Sequence, residues 1–190
     1  MARQVRRHAP APALLTLGLL AAVLVGCGGS PAEPESPFPA RPVDIDVSTL
    51  DPCDALDPSR AEALGLGEGA RGTAVVDGTE ARDCTWLGNG DASNYGVQVI
   101  SLGAVTAAAE PSSRIVTVGG YGAVEGAPQT NNGPGLPAFC QLAIDVNDNQ
   151  TIRVQVNNGR PSTGGDPNAI RDVCRQAGEV AAEVLTVLTS

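Results

Sequence analysis

The clearest hydrophobic pattern in the chain lies close to its C-terminus. Apolar residues recur there at spacings of three and four, which is typical of one face of an amphipathic helix. Asp166 suits the N-cap and Pro167 the first helical turn, so the pattern predicts a helix over 166–189. The apolar face of this helix consists of Ile170, Val173, Cys174, Ala177, Val180, Ala181, Val184 and Leu188.

Short apolar and alternating segments upstream of this helix predict β-strands. The alternation is clearest at 95–101, and the other strand candidates are 72–76, 84–87, 114–118, 139–146 and 151–156. The last two flank the sequence NDNQ, whose residues favour a turn, so they predict an antiparallel hairpin.

A short helix is predicted near the start of the domain, because Asp57 suits an N-cap, Pro58 a first turn and Gly65 a stop. Together these elements predict an α+β fold. In this fold an antiparallel sheet is covered by the long C-terminal helix, with the short helix at the N-terminal side.

The N-terminus has the pattern of an export signal. Three arginines precede an apolar run at 13–25, which is shorter than the roughly 20 residues that a membrane-spanning helix needs. The run ends in LVGC, residues 24–27, which resembles the lipobox of bacterial lipoproteins. Residues 1–26 are therefore predicted to be a lipoprotein signal peptide, and Cys27 the lipidated, palmitate-bearing N-terminus of the mature protein. The alternative is an ordinary signal peptide or an uncleaved anchor with an unrelated cysteine.

Lipid on Cys27 would place the protein at the cell membrane, facing outside the cytoplasm, because two or more acyl chains anchor durably. Residues 27–50 are rich in Pro and in small or acidic residues, so they predict a tether. Residues 51–190 then form one domain, which is long enough for a real core.

The charge of the mature chain argues against two kinds of partner. Residues 27–190 contain nine arginines, no lysine and 21 acidic residues, which gives a formal charge of −12. A domain this acidic is repelled by nucleic acid and by anionic lipid headgroups. We therefore expect no nucleic-acid partner, and contact with the membrane only through the lipid.

The absence of two residue types limits the chemistry further. The mature chain has no His and no Lys, which excludes Ser-His-Asp, Cys-His and Ser-Lys catalysis and Schiff-base chemistry. The sequence contains no C-x-x-C pair of the kind that binds zinc. Cysteines of proteins outside the cytoplasm usually form disulfides. We expect no enzyme, metal or cofactor; a carboxylate-based hydrolase remains as an alternative.

Several motifs in fixed order resemble one known family. They are DPC at 51–53, LGL at 64–66, CTW at 84–86, YGA at 121–123, Cys140 before a strand and Cys174 in the last helix. The chain resembles the domain-of-unknown-function 3558 family of actinobacterial lipoproteins. That resemblance implies an envelope lipoprotein whose role is not established, and it implies nothing catalytic.

Four cysteines remain after Cys27, and four cysteines allow three pairings. Cys53–Cys84 and Cys140–Cys174 are predicted. The first pair would tie the region of the short helix to the strand of Trp86. The second pair would tie the last helix to the hairpin that it covers.

Candidate contacts for a ligand or partner are few. Trp86 lies two residues after Cys84, where it either packs over a disulfide or stacks on a ligand. Residues 119–139 predict a long loop, which is either idle or a binding loop that presents Tyr121, Asn131 and Asn132.

The sequence favours a non-enzymatic binding domain for a small molecule or cell-wall component. The alternative is a protein-interaction module of an envelope complex. An enclosed apolar pocket would favour the small molecule, and an open apolar patch would favour the protein partner.

Overall fold

The predicted C-terminal helix is present in the structure, a computed structural model that describes residues 36–90, 93–128, 131–161 and 163–190. Helix α2 spans Pro167–Leu188, and the Asp166 side chain caps it by accepting a hydrogen bond from the amide of Asn168. Its buried residues are Val173, Ala177, Val180, Ala181, Val184 and Leu185. No helix in the described ranges is both long and apolar enough to cross a membrane.

Helix α2 packs on an antiparallel sheet, chiefly on its two central hairpin strands. The described strands pair in the order β1-β2-β3-β7-β6-β5-β4. Every neighbouring pair is antiparallel, so the predicted α+β class is confirmed. The strands are β1 (Ala70–Val76), β2 (Thr79–Leu87), β3 (Asn94–Ile100), β4 (Ser113–Val118), β5 (Tyr121–Gly126), β6 (Phe139–Asn147) and β7 (Gln150–Asn157).

The described residues also include three short helical elements. Helix α1 spans Pro58–Ala63 and begins as predicted, because the side chain of Asp57 accepts a hydrogen bond from the amide of Arg60. Two 3₁₀ helices lie at Pro52–Ala55 and Ala104–Ala109.

Both predicted disulfides are present. Cys53–Cys84 ties the Pro52–Ala55 3₁₀ helix to β2, and Cys140–Cys174 ties β6 to α2. Cys84 and Cys140 are fully buried in the main core between sheet and helix. The disulfides therefore fix both the N-terminal and the C-terminal helical elements to the same sheet face.

Strand β5 corrects the prediction of one long loop over 119–139. Gly119 and Gly120 have positive φ values of 57° and 86°. Such values suit a two-residue hairpin turn, and this turn joins β4 to β5. The prediction failed because glycines within Tyr121–Gly126 weaken the usual strand pattern. The actual connection between β5 and β6 is 127–138.

Residues 36–50, here called the N-terminal segment, correct the predicted domain boundary. The folded unit begins at Ser36 rather than at residue 51. Val47 is fully buried, and the amide of Ile45 donates to the carbonyl of Val146 at 2.9 Å. The C-terminal part of the predicted tether is thus part of the domain, whereas the predicted signal peptide, Cys27 and the rest of the tether lie outside the described residues.

Candidate functional site

The two faces of the sheet differ in what covers them. One face carries the main core beneath α2. The other face is only partly covered, by the Ala104–Ala109 3₁₀ helix, where Phe38, Ala104, Val124 and Ala143 form a small second core. The rest of this second face, here called the open face, is therefore where a ligand could reach the sheet.

A cavity of about 380 Å³ lies on the open face. Its size falls within the range of roughly 300–1,000 Å³ typical of small-molecule sites. Strands β3, β5, β6 and β7 contribute to it, together with the Ala104–Ala109 3₁₀ helix. This cavity, called the open-face cavity below, is the candidate site.

One wall of the open-face cavity is apolar. Ala104 and Ala107 of the 3₁₀ helix contribute to it, with Val124 of β5 and Ala143 of β6. Gly126 also lines the cavity and has no side chain to fill it. Small residues on neighbouring strands thus leave open a volume that longer side chains would occupy.

The floor of the open-face cavity is polar. Arg153 and Gln155 of β7 line it with Gln141 of β6. The Nε of Arg153 donates to Oε1 of Gln98 at 2.7 Å, and its Nη2 donates to the same oxygen. The Gln155 amide donates to Oε1 of Gln141 at 3.3 Å. The floor therefore offers a cation and two side-chain amides.

The charge of Arg153 is only partly compensated by the protein. Burial lowers the pKa of its guanidinium, while the negative charges of Asp77 and Asp83 act in the opposite direction. An arginine stays protonated even so. Exposed carboxylates of Asp77 and Glu110 also line the cavity, so the site contains groups of both signs.

A second cavity, of about 690 Å³, lies beside Trp86. It is more open to solvent, and Arg71, which lines it, already pairs with Asp51 at 2.6 Å. Trp86 is only 2% exposed and belongs to the main core. A Cβ on Gly69 would come within 2.7 Å of the Trp86 Nε1 and 2.8 Å of the Cys84 Sγ. Trp86 therefore packs beside the disulfide, and its predicted ligand contact is limited to the rim of this cavity.

The three other predicted contact residues have separate positions. Tyr121 is 1% exposed and donates its hydroxyl to the carbonyl of Val43, so it cannot reach a ligand as predicted. Asn132 is also buried, and its side chain accepts from the amide of Phe139 at 2.8 Å and donates to the carbonyl of the same residue at 2.9 Å. Asn132 thus stabilises the connection. Asn131 is exposed and lines the open-face cavity.

One group of potential metal ligands lies close together in the described part of the chain, namely Glu125, Cys140 and Cys174. The two sulfurs are bonded to each other, so neither is a thiolate. Glu125 accepts a hydrogen bond from Arg114 at 2.8 Å. The chemistry of this group is that of a disulfide beside an ion pair and does not suit a metal.

The polar floor was missed in the sequence, although a signal for it exists. In TIRVQV, residues 151–156, Ile152, Val154 and Val156 are fully buried, and the polar residues alternate with them. Alternation places Arg153 and Gln155 on the opposite face of the strand. What the sequence lacks is the register that brings Gln98 beside Arg153.

Comparison with known proteins identifies the family. No curated protein and no solved structure shows a significant match to the chain. A family model described as a protein of unknown function, DUF3558, matches residues 22–186. The match includes the elements of the sheet, both disulfides and nearly all of α2, and the chain therefore belongs to the DUF3558 family.

Proposed function

We propose that the protein is a lipid-anchored, extracytoplasmic binding domain whose ligand, a small molecule or cell-wall component, occupies the open-face cavity. The observation that carries this proposal is the cavity itself, a volume of about 380 Å³ with an apolar wall and a polar floor. Ligand sites combine apolar contact with a small number of placed polar groups, and this cavity offers both. The polar floor lies on the paired strands β6 and β7, and groups held by strands are positioned more precisely than groups on loops.

The cysteines support the anchoring half of the proposal. The chain has five cysteines, and four of them form the two disulfides. Cys27 is left over, and it lies at the end of the LVGC sequence. The family match begins at residue 22 and so includes it. The Cys27→Ala variant is expected to lose palmitate labelling and to leave the membrane fraction. Undiminished labelling would contradict the anchoring.

The chemistry of the mature chain supports binding rather than catalysis. It has no His and no Lys, and among the residues that line the cavity the carboxylates are the exposed Asp77 and Glu110. A carboxylate hydrolase would need one carboxyl group with a raised pKa as general acid. Such an acid is normally held in an apolar pocket, whereas these two carboxylates are exposed to water.

The exposed large apolar side chains do not favour a protein-interaction module over a ligand site. They belong to different elements and connections, as Val75 in β1, Leu87 in β2 and Ile115 in β4 illustrate. Single apolar residues at the surface are normal.

Co-purification of a native ligand tests the cavity. The protein would be purified from membranes of its native host in mild detergent, and the released small molecules compared by mass spectrometry with those from Gly126→Leu. A Cβ at Gly126 meets Gln141 only at an ordinary 3.6 Å, so the leucine can fit while its side chain fills the cavity. Arg175→Gln, on the exposed surface of α2, is the control.

We expect a molecule that accompanies the wild type and Arg175→Gln but not Gly126→Leu. The same three proteins would also be crosslinked to their neighbours in the membrane. If no such molecule is found and all three recover the same crosslinked proteins, the result would instead favour the protein-interaction module.

A further inference from the structure

We infer that the ligand carries a carboxylate or phosphate group that binds the guanidinium of Arg153, and a short apolar part that lies against the Ala104–Ala109 3₁₀ helix. This inference rests on the proposed function, because it assumes that the open-face cavity holds the ligand. It adds the chemical class of that ligand and the residue that recognises it.

The position of Arg153 on the open face is fixed by the sheet. Strand β7 is an interior strand between β3 and β6. The neighbours Ile152 and Val154 are fully buried on the α2 side, so Arg153 is directed to the other side. In register, Arg153 pairs with Gln98 on β3 and with Ala143 on β6. Gln98 holds the guanidinium, and the short side chain of Ala143 leaves it accessible.

Arg41 shows how this protein satisfies a partly buried arginine when the role is structural. Its side chain is 16% exposed and forms ion pairs with Asp145 at 2.7 Å, Asp44 at 2.7 Å and Asp148 at 2.6 Å. Arg153 instead bonds to the neutral amide of Gln98. No carboxylate within the described ranges comes within ion-pair distance of it. Asp77 and Asp83 act on the charge of Arg153 only from beyond ion-pair distance. A partly buried charge without a direct partner is costly, and a bound anion would supply one.

Arg153 also has donors left over. A guanidinium has five N–H groups, and Gln98 accepts only from Nε and Nη2. Nη1 has no acceptor among the described residues. The planar fork of a guanidinium suits the paired oxygens of a carboxylate or phosphate. Gln98 therefore orients the group while leaving one edge for a ligand.

The surroundings of Arg153 limit what else the ligand can carry. Asp77 and Glu110, which line the same cavity, would repel a second negative charge. Ala104, Ala107 and Val124 offer an apolar surface that favours a hydrocarbon part. Since the mature chain has a formal charge of −12, long-range attraction does not bring an anion to the site, and selectivity comes from local contacts.

NMR titration with four matched probes tests the inference. The probes are hexanoate, hexyl phosphate, hexanamide and hexylamine, added to ¹⁵N-labelled mature chain with Cys27→Ser to prevent lipidation. We expect saturable shifts of the Arg153 Nε–H and of the Gln98 and Gln141 side-chain amides with hexanoate or hexyl phosphate. The better anion should bind at least about tenfold more tightly than hexanamide, in line with a charge-assisted hydrogen bond.

The Arg153→Gln variant should lose that tenfold preference while its affinity for hexanamide stays unchanged. Arg175→Gln is the control for loss of a surface charge and should bind like the starting protein. In the protein that keeps Arg153, the Nε–H resonance of this residue reports the contact directly. The test therefore does not depend on the folding of Arg153→Gln. Comparison of hexanoate with hexyl phosphate tells which oxyacid is preferred.

Equal affinity for hexanoate and hexanamide, unaffected by Arg153→Gln, would overturn the inference and leave the cavity as a ligand site. Preference for hexylamine would also overturn it and would point to Asp77 and Glu110. A failure of all four probes to shift Arg153 would overturn it too. The ligand-retention experiment with Gly126→Leu judges the proposed function separately.

Discussion

The hydroxyl of Tyr121 donates a hydrogen bond to the backbone carbonyl of Val43 at 3.0 Å. This contact joins β5 to the N-terminal segment, and no pattern in the sequence predicts that these two parts of the chain meet. Arg82 adds a second link, because its Nη2 donates to the carbonyls of Val47 and Ser48 at 2.9 and 2.8 Å. The N-terminal segment is therefore held at several points and should contribute to stability.

Phe38→Ala tests that contribution. Phe38 is 9% exposed and packs in the second core with Val124 and Ala143, so its loss should lower the free energy of unfolding by about 3 kcal/mol. Val43→Ala is the matched control, because Val43 is 57% exposed, and it should cost less than about 0.5 kcal/mol. Urea denaturation measures both. Similar small effects for the two variants would mean that the segment does not stabilise the domain.

Gly122 and Gly126 form a matched pair on β5. A Cβ at Gly122 would come within 2.8 Å of the Phe38 Cβ, whereas one at Gly126 meets its nearest atoms at 3.6 Å. Gly122→Ala should therefore destabilise the protein by about 1–3 kcal/mol through overpacking, and Gly126→Ala should be nearly neutral. In a double-mutant cycle with Phe38→Gly, which removes the Cβ as well as the ring, the cost of Gly122→Ala should fall. An unchanged cost would show that Phe38 is not what opposes the added methyl group.

Arg41→Met tests the ion cluster that joins the N-terminal segment to β6. Its removal leaves Asp145, whose side chain is 6% exposed, without its partner. An unpaired buried charge of this kind costs about 3–5 kcal/mol. Arg175→Gln breaks the exposed i,i+4 pair with Glu179 and should cost no more than about 0.5 kcal/mol. Equal effects in thermal or urea unfolding would contradict the structural role of Arg41.

The disulfide Cys140–Cys174 can be removed by the double substitution Cys140→Ser and Cys174→Ser. The bridge closes a loop with a sequence separation of 34 residues, and its loss should lower the free energy of unfolding by about 2–5 kcal/mol. Peptide mapping of the oxidised variant should still find Cys53 joined to Cys84. A peptide of the unsubstituted protein that joined Cys53 to Cys174 would refute the pairing.

The N-cap of α1 predicts a specific dependence on pH. Hydrogen bonds from the Ser59 hydroxyl and then from the Arg60 amide lower the pKa of Asp57 below its ordinary value of 3.8. Because the pKa of Asp57 is lower in the folded state, its ionised carboxylate stabilises the fold at pH values above the ordinary pKa of 3.8. That contribution disappears as the pH falls through the folded-state pKa.

Asp57→Asn isolates this charge effect, since asparagine is also a good N-cap. The wild type should have the higher urea midpoint at neutral pH, and the difference should vanish in acid. A difference that did not change with pH would show that the charge of Asp57 makes no contribution.

The parts of the fold that could be predicted depend on residues close together in the sequence or on the order of elements along the chain. The apolar face of α2 follows from spacings within a single helix. The N-caps Asp57 and Asp166 accept hydrogen bonds from amides no more than three residues away. The disulfide pairing followed from the order of the cysteines and the elements they were expected to join.

The missed parts depend on contacts between distant residues. Gly122 obscures β5 because a glycine is disfavoured in a strand, yet this glycine admits Phe38 across the strand. The N-terminal segment contains prolines and has the sequence pattern of a linker. Its place in the fold is evident only from its contacts with β5. The cavity required the register between β3 and β7, which no local pattern specifies.

The inclusion of residues 36–50 in the folded unit shortens the distance available between the domain and its proposed point of attachment. Ser36 is the ninth residue after Cys27, and nine residues span at most roughly 30 Å when fully extended. Under the proposed anchoring, the domain would work in a thin layer next to the bilayer. The molecules that it meets there would be those embedded in, or released at, the outer surface of the membrane.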